Sequence, residues 1–284
     1  MSNGYPEGAL ERLHEVQMDI LHVISLVCDE FDLTWFGDSG TCLGAMRHEG
    51  FIPWDDDVDI ALPLDDYLTF CEIAPQVLPE EYGLYTHATT SNYPPLFAKV
   101  YKKGTRFVGR EMAEAGFEGG IFVDVFAYAQ LDSNPSIASR QKMKLANWQR
   151  ASYLYHIAHP KIPTDLPIKS MLGAFTAAGH QLMQRLFTPA QIEQKFFEAL
   201  AQGDGQGPWT NIFYSTWGTY DEATLFPART VPFGWLQIPV PAEPDVYLST
   251  LYGDWRTPPS QSQRWGEPPL VLDFGDGVNV MDRA

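Results

Sequence analysis

The sequence predicts an α/β (α+β) fold, and three observations support that prediction. Apolar residues recur at steps of three and four from Leu10 to Phe31, which is the period of an amphipathic helix. Several short β-like runs follow between residues 57 and 127. Two long helical stretches, 134–158 and 167–200, then precede a part rich in aromatic residues and prolines. We therefore expect one domain, residues 1–284, with a helical insertion.

Local patterns place the shorter elements along the chain. Further helices are expected at 41–46, 65–77 and 245–252. Strands are expected at 34–36, 57–62, 83–87, 97–102, 105–108 and 121–127, with strand-like pieces around 231–239. The hydroxyl of Ser39 or Thr41 is the expected cap of the 41–46 helix, and Asp65 that of the next helix, because short polar side chains satisfy the first free N–H groups.

Composition limits the kinds of partner. Nineteen basic and thirty-six acidic residues leave a formal net charge of −17, and such a surface repels polyanions, so nucleic acid is not an expected partner. The three cysteines, Cys28, Cys42 and Cys71, stand in apolar surroundings and are interpreted as reduced core residues. We see neither a signal peptide nor an apolar run of about 18 residues, so we expect a cytoplasmic protein without a membrane span.

The stretch from Trp35 to Ala61 contains the chemistry. On an extended strand Asp55, Asp57 and Asp59 would share one face while Asp56 points to the other. Carboxylates a few ångströms apart repel each other unless a cation joins them, and oxygen ligands suit Mg²⁺ or Mn²⁺. A solvated acidic turn is the alternative. A calcium loop is excluded, because Ile60 stands where its sharp turn needs glycine.

Two further features belong to the same hypothesis. A helix that opens on Gly40-Thr41 presents unpaired N–H groups and a small hydroxyl where a phosphate could bind, although most such dipeptides are plain turns. Asp124 lies in the centre of the apolar run 121–127, where a lone carboxylate needs a partner. That partner could be a metal or simply backbone N–H groups.

These residues together resemble the nucleotidyltransferase superfamily, in which a small-residue turn holds phosphate and strand carboxylates hold divalent metal. A more specific resemblance is to the LicD family, which includes bacterial phosphorylcholine transferases and the fukutin-type ribitol-phosphate transferases. Its blocks are GTCLGAMRHEGFIPWDDDVDIAL, FAKVYKKGT, IFVDVFAY, and LFPARTVPF followed by YLSTLYGDWRTPP. The resemblance implies a mixed sheet flanked by helices, with a catalytic core at 1–130, a helical region at 131–205 and a C-terminal part at 206–284.

The resemblance also implies an activity. A phospho-alcohol, most simply phosphorylcholine, would pass from a CDP-activated donor such as CDP-choline to a hydroxyl of a glycan, with release of CMP. The glycan could be lipopolysaccharide, teichoic acid or a lipid-linked precursor reached from the inner membrane face. Asp57, Asp59 and Asp124 are the implied catalytic residues, with Asp55 as a further metal ligand. Asp124 is either the third ligand or the base that takes the acceptor's proton.

The remaining candidates would bind substrate. They are Gly40, Thr41, Arg47, His48, Trp54, Lys99 and Thr105. Arg47 and His48 could instead complement a helix dipole, and Lys99 could be a sheet-edge lysine. Trp54 and Trp255 could attract a choline head group through their aromatic faces or could simply be core residues.

Two other functions stay open at this point. One is a nucleotidyltransferase that attaches a nucleoside monophosphate to a small molecule and releases pyrophosphate. The other is a choline- or glycan-binding module without catalysis, which the presence of all three strand carboxylates disfavours.

Overall fold

The chain builds a mixed β-sheet flanked by helices. The structure is a computed structural model that describes residues 4–159, 169–260, 264 and 268–283. The helices are α1 (Ala9–Glu30), α2 (Ser39–His48), α3 (Leu64–Val77), α4 (Arg110–Glu114), α5 (Pro135–His156), α6 (Lys169–Leu186), α7 (Pro189–Leu200), α8 (Glu222–Leu225) and α9 (Pro244–Tyr252), with a 3₁₀ helix at Val280–Arg283. The strands are β1 (Phe36–Gly37), β2 (Asp59–Pro63), β3 (Tyr82–Tyr85), β4 (Ala98–Lys102), β5 (Arg106–Val108), β6 (Phe122–Gln130), β7 (Trp209–Asn211), β8 (Arg229–Phe233), β9 (Leu236–Val240) and β10 (Val271–Asp273).

The main sheet has the strand order β1-β2-β6-β4-β3, and β7 pairs with the far end of β6. β2 and β6 run parallel, whereas the other pairs within the described residues are antiparallel. The central strand β6 is buried along almost its whole length, as its apolar run predicts. The α/β class, the mixed sheet and the helical insertion, which is α5 to α7, are therefore confirmed.

Helix α1 covers the sheet through its apolar face. Leu13, Ile20, Leu21 and Ile24 are fully buried at the expected helical spacing. Burying a side chain of this size contributes about 1.5–3 kcal/mol to the free energy of unfolding, so these four residues strongly stabilise the packing of α1 on the sheet. The helix fixes the acidic segment before β2, as described below.

Several boundaries differ from the sequence prediction. α2 begins two residues early because Asp38, and neither Ser39 nor Thr41, caps it. Asp65 does not cap α3, whose N-cap is Pro63. The predicted stretch 167–200 is two helices, since a capping box at Thr188 starts α7, and residues 167–168 lie outside the described part. The piece around 231–239 is a hairpin of β8 and β9.

Two predictions about the chain as a whole can be compared with the structure. The cysteines are free, with Cys28 and Cys42 in the core and Cys71 half-buried. Among the described helices, none is both long enough and apolar enough to span a bilayer. The division of the chain into one domain with three parts stays a prediction.

Candidate functional site

The acidic segment, called the acidic turn below, is a stretch of irregular backbone that follows a tight turn at residues 52–55 and ends where β2 begins. Ligand oxygens of Asp55, Asp56 and Asp57 all lie within 4.8 Å of one another. The prediction that Asp56 faces away is wrong, because the extended backbone starts only at Asp59 and side chains in a turn do not alternate. Three consecutive carboxylates therefore form one group, and Asp59 stands beside it.

Helix α1 and the residues before it hold this turn in place. His14 Nε2 donates to the Asp55 carbonyl oxygen (2.7 Å), and Gln17 Nε2 donates to the Asp56 carbonyl oxygen (2.8 Å). The hydroxyl of Tyr5 donates to the Asp56 carboxylate. Sequence reasoning missed all three residues. The available signal was that His14 and Gln17 are one turn apart, and that Gln17 interrupts an apolar helix face on which it is almost fully buried.

A row of three charged residues crosses the sheet next to the turn. Asp59 on β2 is the register partner of Asp124 on β6, and Asp124 is the register partner of Lys99 on β4. The Lys99 ammonium lies 2.6 Å from Asp124 Oδ1 and 3.2 Å from the centre of the Phe122 ring. The sheet-edge reading of Lys99 is wrong, since β4 lies between β6 and β3. The partner that the buried Asp124 required is therefore an ammonium group.

The acidic groups of this site destabilise one another's charged forms. Burial raises the pKa of Asp57 and of Asp59, and their acidic neighbours, including Asp124, raise both further. Burial and the adjacent Asp56 raise the pKa of Asp55 to about 6. Burial also raises the pKa of Asp124, against the opposing effect of Lys99. One lysine thus faces several carboxylates, an imbalance that a divalent cation would correct.

The Gly40-Thr41 step holds the acidic groups in position. Thr41 Oγ1 accepts the backbone N–H of Asp59 (2.8 Å), which ties the start of α2 to the start of β2. A Cβ placed on Gly40 would lie 2.8 Å from Asp55 Oδ2, so a larger residue there would displace that carboxylate. The binding of phosphate by this step stays a prediction.

Asp38 is a fully buried carboxylate with no predicted role. Its side chain accepts hydrogen bonds from Ser39 N (2.9 Å), Tyr128 (3.0 Å), Asn211 Nδ2 (3.1 Å) and the hydroxyl of Tyr247. Burial raises its pKa, and these four donors oppose the rise. Through these hydrogen bonds Asp38 links α2, β6, β7 and α9 to one another.

Two tyrosines to which the sequence assigned no site role are influenced by the acidic groups. Burial raises the pKa of Tyr252 and of Tyr214, and carboxylates of the site, Asp57 and Asp59 among them, raise both further. Tyr252 ends α9, whereas Tyr214 follows β7 and stacks on Trp217 at 4.2 Å. Two parts of the C-terminal region thus lie within electrostatic reach of the acidic groups.

Trp54 lies beside two arginines. The guanidinium carbon of Arg264 is 4.1 Å from the centre of a Trp54 ring, and that of Arg47 is 5.9 Å away. Arg47 Nη1 donates to the Trp255 carbonyl oxygen (2.9 Å), and its Nε donates to His48 Nε2 (3.0 Å). His48 is largely exposed. The part of its ring that is shielded from water lowers its pKa, and the charge of Arg47 lowers the pKa further.

Two features lie away from this cluster. The Thr105 hydroxyl donates to the Lys102 carbonyl oxygen (2.6 Å) and accepts the N–H of Ile121 (2.9 Å), which are the contacts of a turn residue. A groove of about 740 Å³ is lined in part by Trp35, Trp209 and Pro63 and by none of the predicted site residues. Pro63 ends β2, so the groove lies at the opposite end of that strand from Asp59.

The residues present fit a hard divalent cation. The donor set consists of carboxylate oxygens, and oxygens that bind one such ion at about 2.0–2.6 Å lie a few ångströms apart, as those of the acidic turn do. Asp55, Asp56 and Asp57 supply oxygens at this spacing, and Asp59 and Asp124 on the adjoining strands stay predicted further ligands. The Asp124 oxygen bound to Lys99 is already engaged, so its other oxygen would have to serve.

Comparison with known proteins identifies the class to which this arrangement belongs. Residues 32–160 match the family described as LicD/FKTN/FKRP, nucleotidyltransferase domain. This part of the chain thus resembles the nucleotidyltransferase domain of the LicD family, as its motifs predicted, and it contains the acidic turn, Lys99 and Asp124.

Individual relatives match over shorter stretches. The chain is 30% identical over 123 residues to the lipopolysaccharide cholinephosphotransferase LicD of Haemophilus influenzae, which is 43% of this chain and 45% of that protein. It is also 47% identical over 45 residues to an uncharacterized protein of Rickettsia typhi, 16% of this chain and 15% of that protein. An uncharacterized protein of Rickettsia prowazekii is 44% identical over 45 residues, 16% of this chain and 17% of that protein. The match thus spans less than half the length of each relative.

Proposed function

We propose that the protein is a metal-dependent phosphotransferase. It moves phosphorylcholine from CDP-choline to a hydroxyl of a cell-surface glycan or its precursor and releases CMP. The observation that carries the proposal is the row Asp59, Asp124 and Lys99 beside the acidic turn, of which Asp124 and Lys99 are buried. The similarity to a lipopolysaccharide cholinephosphotransferase supports the choice of phosphorylcholine and of a lipopolysaccharide acceptor.

The reaction exchanges one phosphorus–oxygen bond for another. The acceptor oxygen bonds to the phosphorus that carries choline, and the bond from that phosphorus to the bridging oxygen breaks. The bridging oxygen leaves with CMP, and the acceptor's proton is released to a base. A bound Mg²⁺ or Mn²⁺ would neutralise the phosphate charge that develops in this step.

The chain's own residues have separate tasks in this proposal. Asp57 and Asp59, with Asp55 beside them, hold the cation. Asp124 is positioned by Lys99 and takes the acceptor's proton through its free oxygen, or serves as a further ligand. Burial keeps the pKa of Asp124 above its usual value, which favours the role of a base.

The choline head group needs a site of its own. The Trp54 ring already has the Arg264 guanidinium at 4.1 Å, so a quaternary ammonium group on that face would have to displace a like charge. The stacked pair of Tyr214 and Trp217, of which Trp217 is 51% exposed, is another aromatic surface. We place the head group there.

Product analysis tests the proposal. The protein is incubated with Mg²⁺ or Mn²⁺, a panel of CDP-alcohols and candidate glycans, and CMP release is measured. We expect release with CDP-choline, its loss in Asp57→Asn, and its retention in Asp65→Asn, which changes an exposed carboxylate on α3. The absence of CMP from every donor and acceptor pair would contradict the proposal.

Nucleotidyl transfer is the second candidate, because the matched domain is named for that chemistry. Formation of pyrophosphate from a nucleoside triphosphate, without CMP release from CDP-choline, would favour it.

A further inference from the structure

Two arginines converge on Trp54. Within the described residues, neither Arg47 nor Arg264 forms a salt bridge, whereas Arg12, Arg106 and Arg256 each do. Burial lowers the pKa of Arg47, and the charge of Arg264 lowers it further. Both side chains are half-buried. In a protein with a net charge of −17, two neighbouring cations without an acidic partner in the described part of the chain are an unusual local excess of positive charge.

The surrounding contacts hold the pair in place. Arg47 is fixed by its bond to the Trp255 carbonyl oxygen, and Arg264 Nε donates to the Pro259 carbonyl oxygen (3.2 Å). Arg47 uses Nη1 for the bond to Trp255 and Nε for the contact with His48. The bond to Pro259 uses only the Nε of Arg264, and the two terminal nitrogens of a guanidinium group form a fork that matches phosphate oxygens.

The pair adjoins the acidic turn. Trp54 directly precedes Asp55 in the chain. Tyr252 lies within electrostatic reach of both groups: burial, followed by charges that include Asp59 and Asp55, raises its pKa, and Tyr252 in turn opposes the lowering of the Arg47 pKa. A ligand that reaches from the carboxylates to Trp54 therefore meets a metal-type site first and two guanidinium groups next.

We propose that Arg47 and Arg264 form an anion site that holds the diphosphate of a nucleotide donor, with Arg264 as a binding residue that the family motifs do not include. The proposal rests on the proposed function. A cation on the acidic turn would contact one side of the diphosphate, and the guanidinium groups would contact the other. The same site would hold the phosphate of the leaving nucleoside monophosphate.

The test compares two arginines of the same region. Arg264→Gln removes the proposed contact, and Arg256→Gln is the matched control, because Arg256 also lies over a tryptophan, at 4.6 Å from a Trp255 ring, but is paired with Asp245. Titration calorimetry measures the binding of CDP, cytidine and inorganic pyrophosphate, with Mg²⁺ and with EDTA. Arg264→Lys keeps the charge but loses the fork, and thermal unfolding shows that each variant is folded.

We expect Arg264→Gln to weaken the binding of CDP and pyrophosphate by about tenfold to a hundredfold, the range for a lost charge-assisted hydrogen bond, and to leave cytidine binding unchanged. Arg264→Lys should lie between, and Arg256→Gln should match the wild type. Equal CDP binding in the two glutamine variants would overturn the inference, and so would a wild type that binds neither CDP nor pyrophosphate.

The outcomes separate this inference from the proposed function. CMP release with an unchanged KM for CDP-choline in Arg264→Gln would overturn the inference and leave the phosphotransferase standing. Pyrophosphate binding that depends on Arg264, in a protein without affinity for CDP or CDP-choline, would support the anion site and remove the cytidine donor.

Discussion

Lys99 and Asp124 form an ion pair of 2.6 Å in the middle of the sheet, where their side chains are 11% and 10% exposed. Asp124 is also the register neighbour of Asp59, so the lysine ends a line of charges that begins at the acidic turn. A buried pair of this kind adds little net stability compared with apolar residues, but losing one partner leaves a costly charge behind.

Replacing Lys99 should therefore harm both stability and activity. We expect Lys99→Met to lower the free energy of unfolding by about 3–5 kcal/mol, because Asp124 loses its cation, and to abolish transfer. Lys102→Met is the control on the same strand. Lys102 pairs with Asp19 at 3.5 Å, at 31% and 52% exposure, and such a pair contributes about 0–1 kcal/mol. Urea denaturation measures both, and equal losses would contradict the special position of Lys99.

The raised pKa of Asp55 predicts a stability that depends on pH in the metal-free protein. Its folded pKa is about 6, against an unfolded value of about 3.9. Between the two values the folded state binds more protons, so stability falls as pH rises from about 4 through 6. We expect the fall to be smaller in Asp55→Asn, to be unchanged in the surface variant Asp221→Asn, and to be offset by added Mg²⁺. Denaturation at a series of pH values measures this dependence. If stability instead rose with pH in the wild type but not in Asp55→Asn, the predicted direction would be wrong.

The two glycines of α2 should respond differently to alanine. A Cβ on Gly44 would lie 2.4 Å from the Gly50 carbonyl oxygen, which is backbone and cannot move freely, so Gly44→Ala should cost about 1–3 kcal/mol of stability. A Cβ on Gly40 meets only the end of the Asp55 side chain, at 2.8 Å. Gly40→Ala should thus displace that carboxylate and weaken metal binding with a small change in stability. Calorimetric Mn²⁺ titration measures metal binding, and thermal unfolding measures stability. A large stability loss in Gly40→Ala, or weaker Mn²⁺ binding without a stability loss in Gly44→Ala, would contradict this prediction.

Thr41 should act through its bond to the Asp59 backbone. Thr41→Val leaves that N–H without its acceptor, at a cost of about 1–3 kcal/mol, whereas Thr41→Ser retains the hydroxyl and should stay close to the wild type. Chemical denaturation gives the difference. Wild-type stability in Thr41→Val together with impaired donor binding would instead favour a direct contact between Thr41 and phosphate.

Much of the fold could be predicted from local patterns. The amphipathic period of residues 10–31 predicted α1, and the apolar run 121–127 predicted the buried strand β6, because burial imposes both patterns on the sequence. The break between α6 and α7 was missed, since the capping signal at Thr188 stands within a continuous helical pattern. The hydrogen-bonded start of β2 at Asp59 was also missed, because the acidic run before it reads equally as strand or turn.

For the site, the sequence by itself determined which residue types were present and, through their motif blocks, the family. Only the tertiary structure decided their partners. The ion pair of Lys99 with Asp124 depends on the strand order, and the grouping of Arg264 with Arg47 joins positions more than two hundred residues apart in the chain. Strand order, like the contact of a distant segment, is set by the packing of the whole core, and no local spacing in the sequence encodes it.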